Sequence, residues 1–350
     1  MPDTQEIKSQ GDVSRMIRGA RNAMTSCLSA TAEDVITMIC DESTLTVAAA
    51  LLEAAEEAGA KTQCFVLERH APRPVEALPP EIVRALKKST ISIYAVLPQE
   101  GEVPHRFELI ELVKPLNLRH AHMIQISEDA MMQGMLSDYQ RVAKLNKIMI
   151  ERVSRAKSVR VTSSVGTDVT VTLDRLEPWE DSAGVIEPGA WRNLPNGEIL
   201  TCPAAVDGVF VCDGVVPTAE QVDRFDIGRK PLRIELSEGR LTNLTGGPGD
   251  LADKVLAIIR DGVNLDRIGM FAIGTNFELL MAIGDGIQDL FIPGAYFSFG
   301  RSPSAGDHKP AWEASAQLTF TGRKTSVEID GFDVIKDGRY DPRILAETEK

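Results

Sequence analysis

The sequence has little positive charge and no long apolar run. Its 38 lysines and arginines stand against 51 aspartates and glutamates, so the formal net charge is −13. Nucleic acids and anionic membranes attract clustered Lys and Arg, and this balance therefore argues against both as partners. No apolar stretch approaches the ~18 residues of a membrane span. Because the N-terminal MPDTQEIKSQGD is polar and acidic, unlike a signal peptide, we expect a cytoplasmic protein.

Disulfide frameworks and familiar cofactor motifs are also missing. The five cysteines are an odd number without a C-x-x-C pair, which favours reduced thiols. No G-x-G-x-x-G follows a strand and no G-x-x-x-x-G-K-[ST] is present, so nothing supports a dinucleotide or P-loop fold. H-E-x-x-H and G-x-S-x-G are absent too. With five histidines in total, a multi-histidine metal site is hard to assemble.

The order of short elements predicts two domains. At ~150 residues a domain, the chain suffices for about two. In the first part, apolar runs such as Val35–Cys40 alternate with Ala/Glu/Leu-rich helical stretches, a pattern typical of a mostly parallel sheet. Beyond this part, β-branched and polar residues alternate around glycine turns and predict hairpins, the last joining Ala314–Phe320 to Thr325–Ile329. We therefore expect an α/β, Rossmann-like domain over residues 1–155 and an α+β domain with antiparallel sheet over 156–350.

One stretch carries specific information. Residues 190–203 read AWRNLPNGEILTCP, and the turn formers Pro195–Gly197 place Glu198 at the start of a short extended run. A carboxylate held in this way suits a hard metal or a cationic group. The string resembles the Asn-Leu-Pro-x-Gly-Glu-x-x-Thr-x-Pro segment of the M29 family of metal-dependent aminopeptidases. Agreement extends to the motifs GVFVCDG at 208–214, IGTN at 273–276, GAYFSFG at 294–300 and VEIDG at 327–331. In length the chain is similar to the 2,5-dihydroxypyridine 5,6-dioxygenases, ring-cleaving non-haem iron enzymes that resemble a branch of the same superfamily.

The resemblance implies an M29 aminopeptidase-like fold with the site in the C-terminal domain. It places the family's first metal-binding Glu at Glu198. The second carboxylate of the aminopeptidases, which is a His in the dioxygenases, corresponds to Met270, and the closing His-x-Asp corresponds to Gln317 and Thr319. Thioether, amide and hydroxyl groups do not replace carboxylates and imidazoles at such centres. The resemblance therefore implies a degenerate metal site that holds one divalent metal (Zn, Co or Fe) or none.

The catalytic residues are expected around this remnant. Tyr296 stands where the family has a further His, and its hydroxyl is suited to donate a hydrogen bond to Glu198. His308 lies in the polar loop SPSAGDHKPAWEAS, where, together with Asp307 or Glu313, it is suited to metal binding or acid–base work; a solvated loop is the alternative. We expect Glu198, Tyr296 and His308 to be catalytic, and Glu198 and His308 to be the metal ligands if a metal is bound.

Further residues are expected to contact the substrate. Gln317 and Thr319 supply hydrogen-bonding groups, unless they are only the polar half of an exposed strand. Trp191 and Trp312 flank the two site segments and suit stacking on a planar substrate, although core packing explains them equally well. Asn276 closes the Gly-Thr-Asn turn. The expected geometry is one cleft lined by Glu198, Tyr296 and Gln317.

Three functions remain open at this stage. The first is hydrolysis of an amide bond in a small peptide-like or heterocyclic substrate, because Glu198 follows the peptidase pattern. The second is ring cleavage by an Fe(II) dioxygenase. The replacement of the expected iron ligands weakens this second hypothesis. The third is a non-catalytic binding or assembly subunit on the same scaffold. A small-molecule substrate and a homo-oligomer, most simply a homodimer, are the expected partners.

Overall fold

The computed structural model describes residues 2–9, 11–217, 224–227, 229–303 and 312–350. By contacts the chain divides into two compact units. The first is built from Met1–Gln140 and Gly184–Asn196, and the second from Arg141–Ala183, Gly197–Ala219 and Asp223–Lys350. This division falls between Gln140 and Arg141, in the first turn of the helix Tyr139–Val153, whereas a domain boundary at residue 155 stays a prediction. Among the described residues, no helix has the length and apolar character needed to cross a bilayer.

A five-stranded, fully parallel sheet forms the centre of the first unit. Its strand order is Lys61–Val66, Val35–Cys40, Ile91–Ala95, Arg119–His122 and Trp191–Asn193. The central strands are buried along nearly their whole length, which explains their continuous apolar sequence. The described α-helices of this unit are Thr4–Ile7, Ile17–Asn22, Leu45–Glu57, Leu67–His70, Pro80–Leu86, Val103–Val113 and Glu128–Met132.

An ion-pair network fills part of the carboxyl edge of this sheet. Arg73 is almost completely buried and binds Asp41 at 3.1 Å, Glu68 at 2.8 Å and Glu102 at 2.5 Å. Asp41 also caps the turn before the helix Leu45–Glu57 by accepting hydrogen bonds from two backbone amides. Ligands of open parallel sheets commonly bind at this edge. In this sheet, charged side chains of the described residues occupy that carboxyl edge.

Buried histidines form a hydrogen-bonded chain across the same sheet. Arg106 lies 3.3 Å from Nε2 of His122, and Nδ1 of His122 lies 3.1 Å from Nε2 of His120. Nδ1 of His120 lies 2.8 Å from the Ser92 hydroxyl. A guanidinium only donates, so each ring must accept at Nε2 and donate at Nδ1. The chain is therefore compatible only with neutral rings at His122 and His120.

A third neutral histidine lies beside this chain. Nδ1 of His105 donates to the Val75 carbonyl at 2.6 Å, and in the neutral ring its Nε2 accepts from the Tyr94 hydroxyl at 2.7 Å. The Tyr94 ring stacks on His122 with a centroid distance of 5.3 Å. Burial lowers the pKa of His120 to about 3 and lowers the pKa of His105. Burial, reinforced by the Arg106 charge, holds the pKa of His122 well below its usual value.

The second unit contains two larger antiparallel sheets around one apolar core. An eight-stranded sheet has the order Arg240–Gly246, Leu232–Ser237, Ala205–Cys212, Asp168–Thr172, Ser158–Thr162, Ser326–Ile329, Phe332–Lys336 and Arg339–Tyr340. A five-stranded sheet, the site sheet, has the order Gln317–Thr321, Gly294–Gly300, Ile268–Gly274, Glu198–Thr201 and Glu180–Ser182. A short pair joins Val215–Pro217 to Arg224–Asp226. The helices are Tyr139–Val153, Leu251–Asp261 and Pro342–Glu347.

The predicted final hairpin is wrong. Gln317–Thr321 pairs with Gly294–Gly300 in the site sheet, whereas Ser326–Ile329 pairs with Ser158–Thr162 in the eight-stranded sheet. Both strands bury apolar side chains in the same core, so the intervening turn carries the chain from one sheet to the other. Local alternation cannot distinguish this from a hairpin, since both strands show period-two patterning. The predicted fold class, a parallel α/β part followed by an antiparallel α+β part, is confirmed.

Candidate functional site

The site sheet has two faces of opposite character. Side chains from its strands alternate, and one set, including Ile199, Phe271 and Phe297, is buried in the apolar core. Strand register places the complementary set on the other face. We call this second face the polar face; besides the apolar Leu200 and Ala272, it carries Glu180, Ser182, Glu198, Met270, Tyr296, Ser298, Gln317 and Thr319.

Local geometry fixes the position of Glu198. The preceding Gly197 has φ of +139°, and an added Cβ would lie 2.7 Å from the Asn276 Cβ, so only glycine fits this close approach. The Gly197 carbonyl accepts a hydrogen bond from the Thr275 amide at 2.8 Å. The carbonyl of Glu198 itself accepts from the Asn146 side chain at 2.8 Å. These contacts to the Gly197 and Glu198 carbonyls therefore fix the backbone from which the Glu198 side chain projects.

Glu198 and Tyr296 form a buried hydrogen-bonded pair. The Tyr296 hydroxyl donates to the Glu198 carboxylate, as the sequence led us to expect. Both residues are at most 5% exposed. Burial raises the pKa of the Tyr296 phenol well above its usual value, and the negative charges of Glu198 and Glu180 raise it further. The phenol therefore stays protonated and acts as a hydrogen-bond donor at neutral pH.

Neutral groups occupy the positions at which the resemblance predicts the remaining metal ligands. Nε2 of Gln317 donates to the Met270 sulfur at 3.6 Å, and the Thr319 hydroxyl lies 2.8 Å from the Ser298 hydroxyl. Non-haem Fe(II) sites of the facial-triad type use two imidazoles and a carboxylate. A thioether, an amide and two hydroxyls supply none of these. Among the described residues no group of three or more His, Cys, Asp or Glu is arranged to hold a metal ion. The described donor set therefore fits neither the two-metal nor the Fe(II) centre.

The other predicted residues have mixed surroundings. Asn276 is buried, and its backbone amide donates to the Phe291 carbonyl at 3.0 Å. Nε1 of Trp312 donates to the Gly300 carbonyl at 2.8 Å, and the Arg267 guanidinium lies 3.9 Å above its ring, which describes a packed side chain. His308 lies outside the described residues.

Trp191 belongs to the other compact unit. Its strand pairs with Arg119–His122 in the parallel sheet. The side chain is 38% exposed and meets His122 edge to face at 5.8 Å. The sequence could not indicate this placement, because the strand that it joins lies about 70 residues earlier and parallel pairing leaves no local signal.

Tyr296 also lines a cavity of about 400 Å³ in the second unit. Neither Glu198 nor Gln317 lines this cavity, and a cleft shared by Glu198, Tyr296 and Gln317 stays a prediction. The sequence reasoning also missed Glu180 and Ser298. Ser298 could have been found, because it lies two residues after Tyr296 on the same strand. Glu180 could not, since only its pairing with Leu200 places it on the polar face.

Two solved structures resemble the fold over nearly the whole chain. The structure is similar to AmpT from Thermus thermophilus, with a TM-score of 0.67 and 13% identity over 93% of this chain and 98% of that one. It is also similar to 2,5-dihydroxypyridine dioxygenase from Pseudomonas putida KT2440, with a TM-score of 0.66 and 16% identity over 95% and 98%. At such identities these likenesses show the fold alone. No curated protein matches the chain.

The sequence also matches a known protein family. Residues 15–254 match the NicX family, described as 2,5-dihydroxypyridine 5,6-dioxygenase. This match spans more than half of the chain, and the protein therefore belongs to that family. It does not extend over Met270, Gln317 and Thr319.

Proposed function

We propose that the chain is an enzyme that acts on a small hydroxylated N-heteroaromatic compound and moves a proton on it through Glu198 and Tyr296. The observation that carries this proposal is the buried hydrogen bond from Tyr296 to the Glu198 carboxylate on the polar face. Membership of the NicX family supports the substrate class. A small-molecule ligand and a homo-oligomer remain part of this proposal, as the sequence predicted.

The pair suits general acid–base chemistry. A carboxylate within hydrogen-bond reach of a ring hydroxyl accepts its proton, and a protonated phenol donates to a ring oxygen or nitrogen. The low exposure of both residues strengthens these interactions relative to bulk water. Glu180 on the same face adds negative charge that keeps the phenol protonated. Once a substrate displaces the hydrogen bond between Tyr296 and Glu198, these groups supply one donor and one acceptor at adjacent positions.

Ring cleavage with dioxygen is the second candidate, and the family match favours it. The iron that such enzymes use would require ligands other than Met270, Gln317 and Thr319. The hydrolytic function that the sequence put first has weaker support, since likeness to AmpT extends to the fold only. A non-catalytic binding role is the outcome if no turnover is found.

One set of assays separates these functions. The purified protein is incubated with 2,5-dihydroxypyridine in air and without oxygen, each with and without added Fe(II), while substrate absorbance and oxygen uptake are followed. Oxygen-dependent turnover that needs iron identifies a dioxygenase. Turnover without oxygen identifies acid–base or hydrolytic chemistry. Binding without turnover under every condition identifies a binding protein and contradicts the proposal.

Substitutions test the assigned residues. We expect Glu198→Gln to lower turnover by a factor of about 100 or more, the usual scale for a general base. The glutamine oxygen still accepts the Tyr296 hydrogen bond, so the melting temperature should change little. Glu235→Gln, on a strand of the eight-stranded sheet, is the matched control. Full turnover in Glu198→Gln would remove Glu198 from the mechanism.

A further inference from the structure

The cavity beside Tyr296 combines apolar and cationic lining. The chain from 280 to 293 contributes the apolar side chains Leu280, Met281, Leu290 and Ile292. Leu280 is 78% exposed and Met281 is 67% exposed, which is unusual for large apolar residues beside a cavity. The turns at 322–324 and 337–339 contribute the cations Arg323, Lys324 and Arg339. We call this cavity the cationic pocket.

Its charges are unbalanced. Three cations face two carboxylates, Asp289 and Asp337. The Asp289 carboxylate already accepts hydrogen bonds from the Ile283 and Gly284 amides at 3.0 and 2.9 Å. Lys324 and Arg339 are exposed, and neither forms an ion pair with any residue that the structure describes. Two cationic side chains are therefore available to a ligand.

Size and chemistry together define a ligand. A volume of about 400 Å³ lies in the range of small-molecule sites and accommodates a single aromatic ring with substituents. Apolar side chains favour the faces of such a ring. Arginine and lysine favour an acidic group, and an arginine fork matches the two oxygens of a carboxylate.

We propose that the cationic pocket binds a small aromatic acid, with Lys324 and Arg339 holding its carboxylate and the ring directed toward Tyr296. This inference rests on the proposed function, because Tyr296 belongs to both the pocket and the proton-transfer pair. Among the hydroxylated heteroaromatic compounds, it favours as substrates those that carry a carboxylate.

Calorimetric titration tests the proposal with two probes that differ only in the acid group. These are 5-hydroxypyridine-2-carboxylate and 3-hydroxypyridine, titrated without oxygen. We expect the acid to bind at least about tenfold more tightly, the scale of one charge-assisted hydrogen bond. In the double variant Lys324→Gln/Arg339→Gln, the ratio of the affinities for the acid and for 3-hydroxypyridine should fall to nearly one. The affinity for 3-hydroxypyridine itself should stay the same. Both substituted residues are exposed, so folding should not be affected.

Lys336→Gln is the matched control, because this exposed lysine lies on the neighbouring strand and does not line the pocket. A ratio near one in the unaltered protein would overturn the proposal. An equal fall of the affinity ratio in Lys336→Gln would also overturn it. Displacement of the acid by inorganic phosphate at equimolar concentration would overturn it as well. The outcome is independent of turnover. Selective binding of the acid without turnover supports the proposed ligand of the cationic pocket and contradicts the proposed function. Turnover without selective binding supports the proposed function and contradicts the proposed ligand.

Discussion

Mild acid should destabilise the parallel sheet of the first unit. His120, His122 and His105 are held neutral there, and their pKa values lie below the usual His value. In the unfolded chain each would titrate near 6.5. Below that pH the unfolded state binds more protons than the folded state, so the free energy of unfolding falls as the pH falls. The stabilisation is complete above about pH 6.5 and is lost progressively on acidification.

The size of the loss follows from linkage. For His120, with a folded pKa of about 3, lowering the pH from 7 to 5.5 costs about 1.3 kcal/mol. His122 adds a similar amount, which brings the pair to ~2.5 kcal/mol. Protonating Nε2 of His122 would also place two donors face to face at Arg106. Carboxyl groups hardly contribute in this window, because their unfolded pKa values lie near 4.

Hydrogen exchange followed by mass spectrometry resolves the effect by segment. After correction for the intrinsic rate, amides of Val35–Cys40 and Ile91–Ala95 should lose protection at pH 5.5 by a factor of about 70, the equivalent of that energy. Amides of the site sheet, which carries no histidine among its described strands, serve as the internal control. Unchanged protection of the parallel sheet, or an equal loss in both sheets, would refute the assignment of neutral rings.

Three further predictions concern single substitutions, each measured by urea unfolding. Tyr296→Phe leaves the buried Glu198 without this donor and should cost about 1–3 kcal/mol, whereas Glu198→Gln should cost clearly less; the opposite order would contradict the hydrogen bond described here. Arg73→Met leaves Asp41, Glu68 and Glu102 without their shared cation and should cost about 3–5 kcal/mol at pH 7, with part of the loss recovered when these carboxylates are protonated. Gly197→Ala forces a Cβ against Asn276 and should cost about 1–3 kcal/mol, and a neutral result would show that the turn relaxes freely.

The features that could be predicted correctly from the sequence are those that local residue patterns determine. Continuous apolar strands separated by helices indicate a parallel sheet, and Val35–Cys40 was correctly placed in one. The turn before Glu198 and the alternation around Tyr296 likewise led to a correct hydrogen bond. What failed depends on pairing between distant strands. Trp191 joins the first sheet through Arg119–His122, and Gln317–Thr321 leaves its apparent hairpin partner, because tertiary pairing overrides local signals.

The two faces of the site sheet separate stability from chemistry. Phe271, Phe297 and their neighbours on the apolar face maintain the fold. Met270, Gln317 and Thr319 on the polar face contribute little to that core, so replacing them alters reactivity while the scaffold survives. A lineage can therefore exchange one set of reactive groups for another by few mutational steps, without passing through an unfolded intermediate. Saturation mutagenesis should show this as alternating intolerance and tolerance along each strand of the sheet.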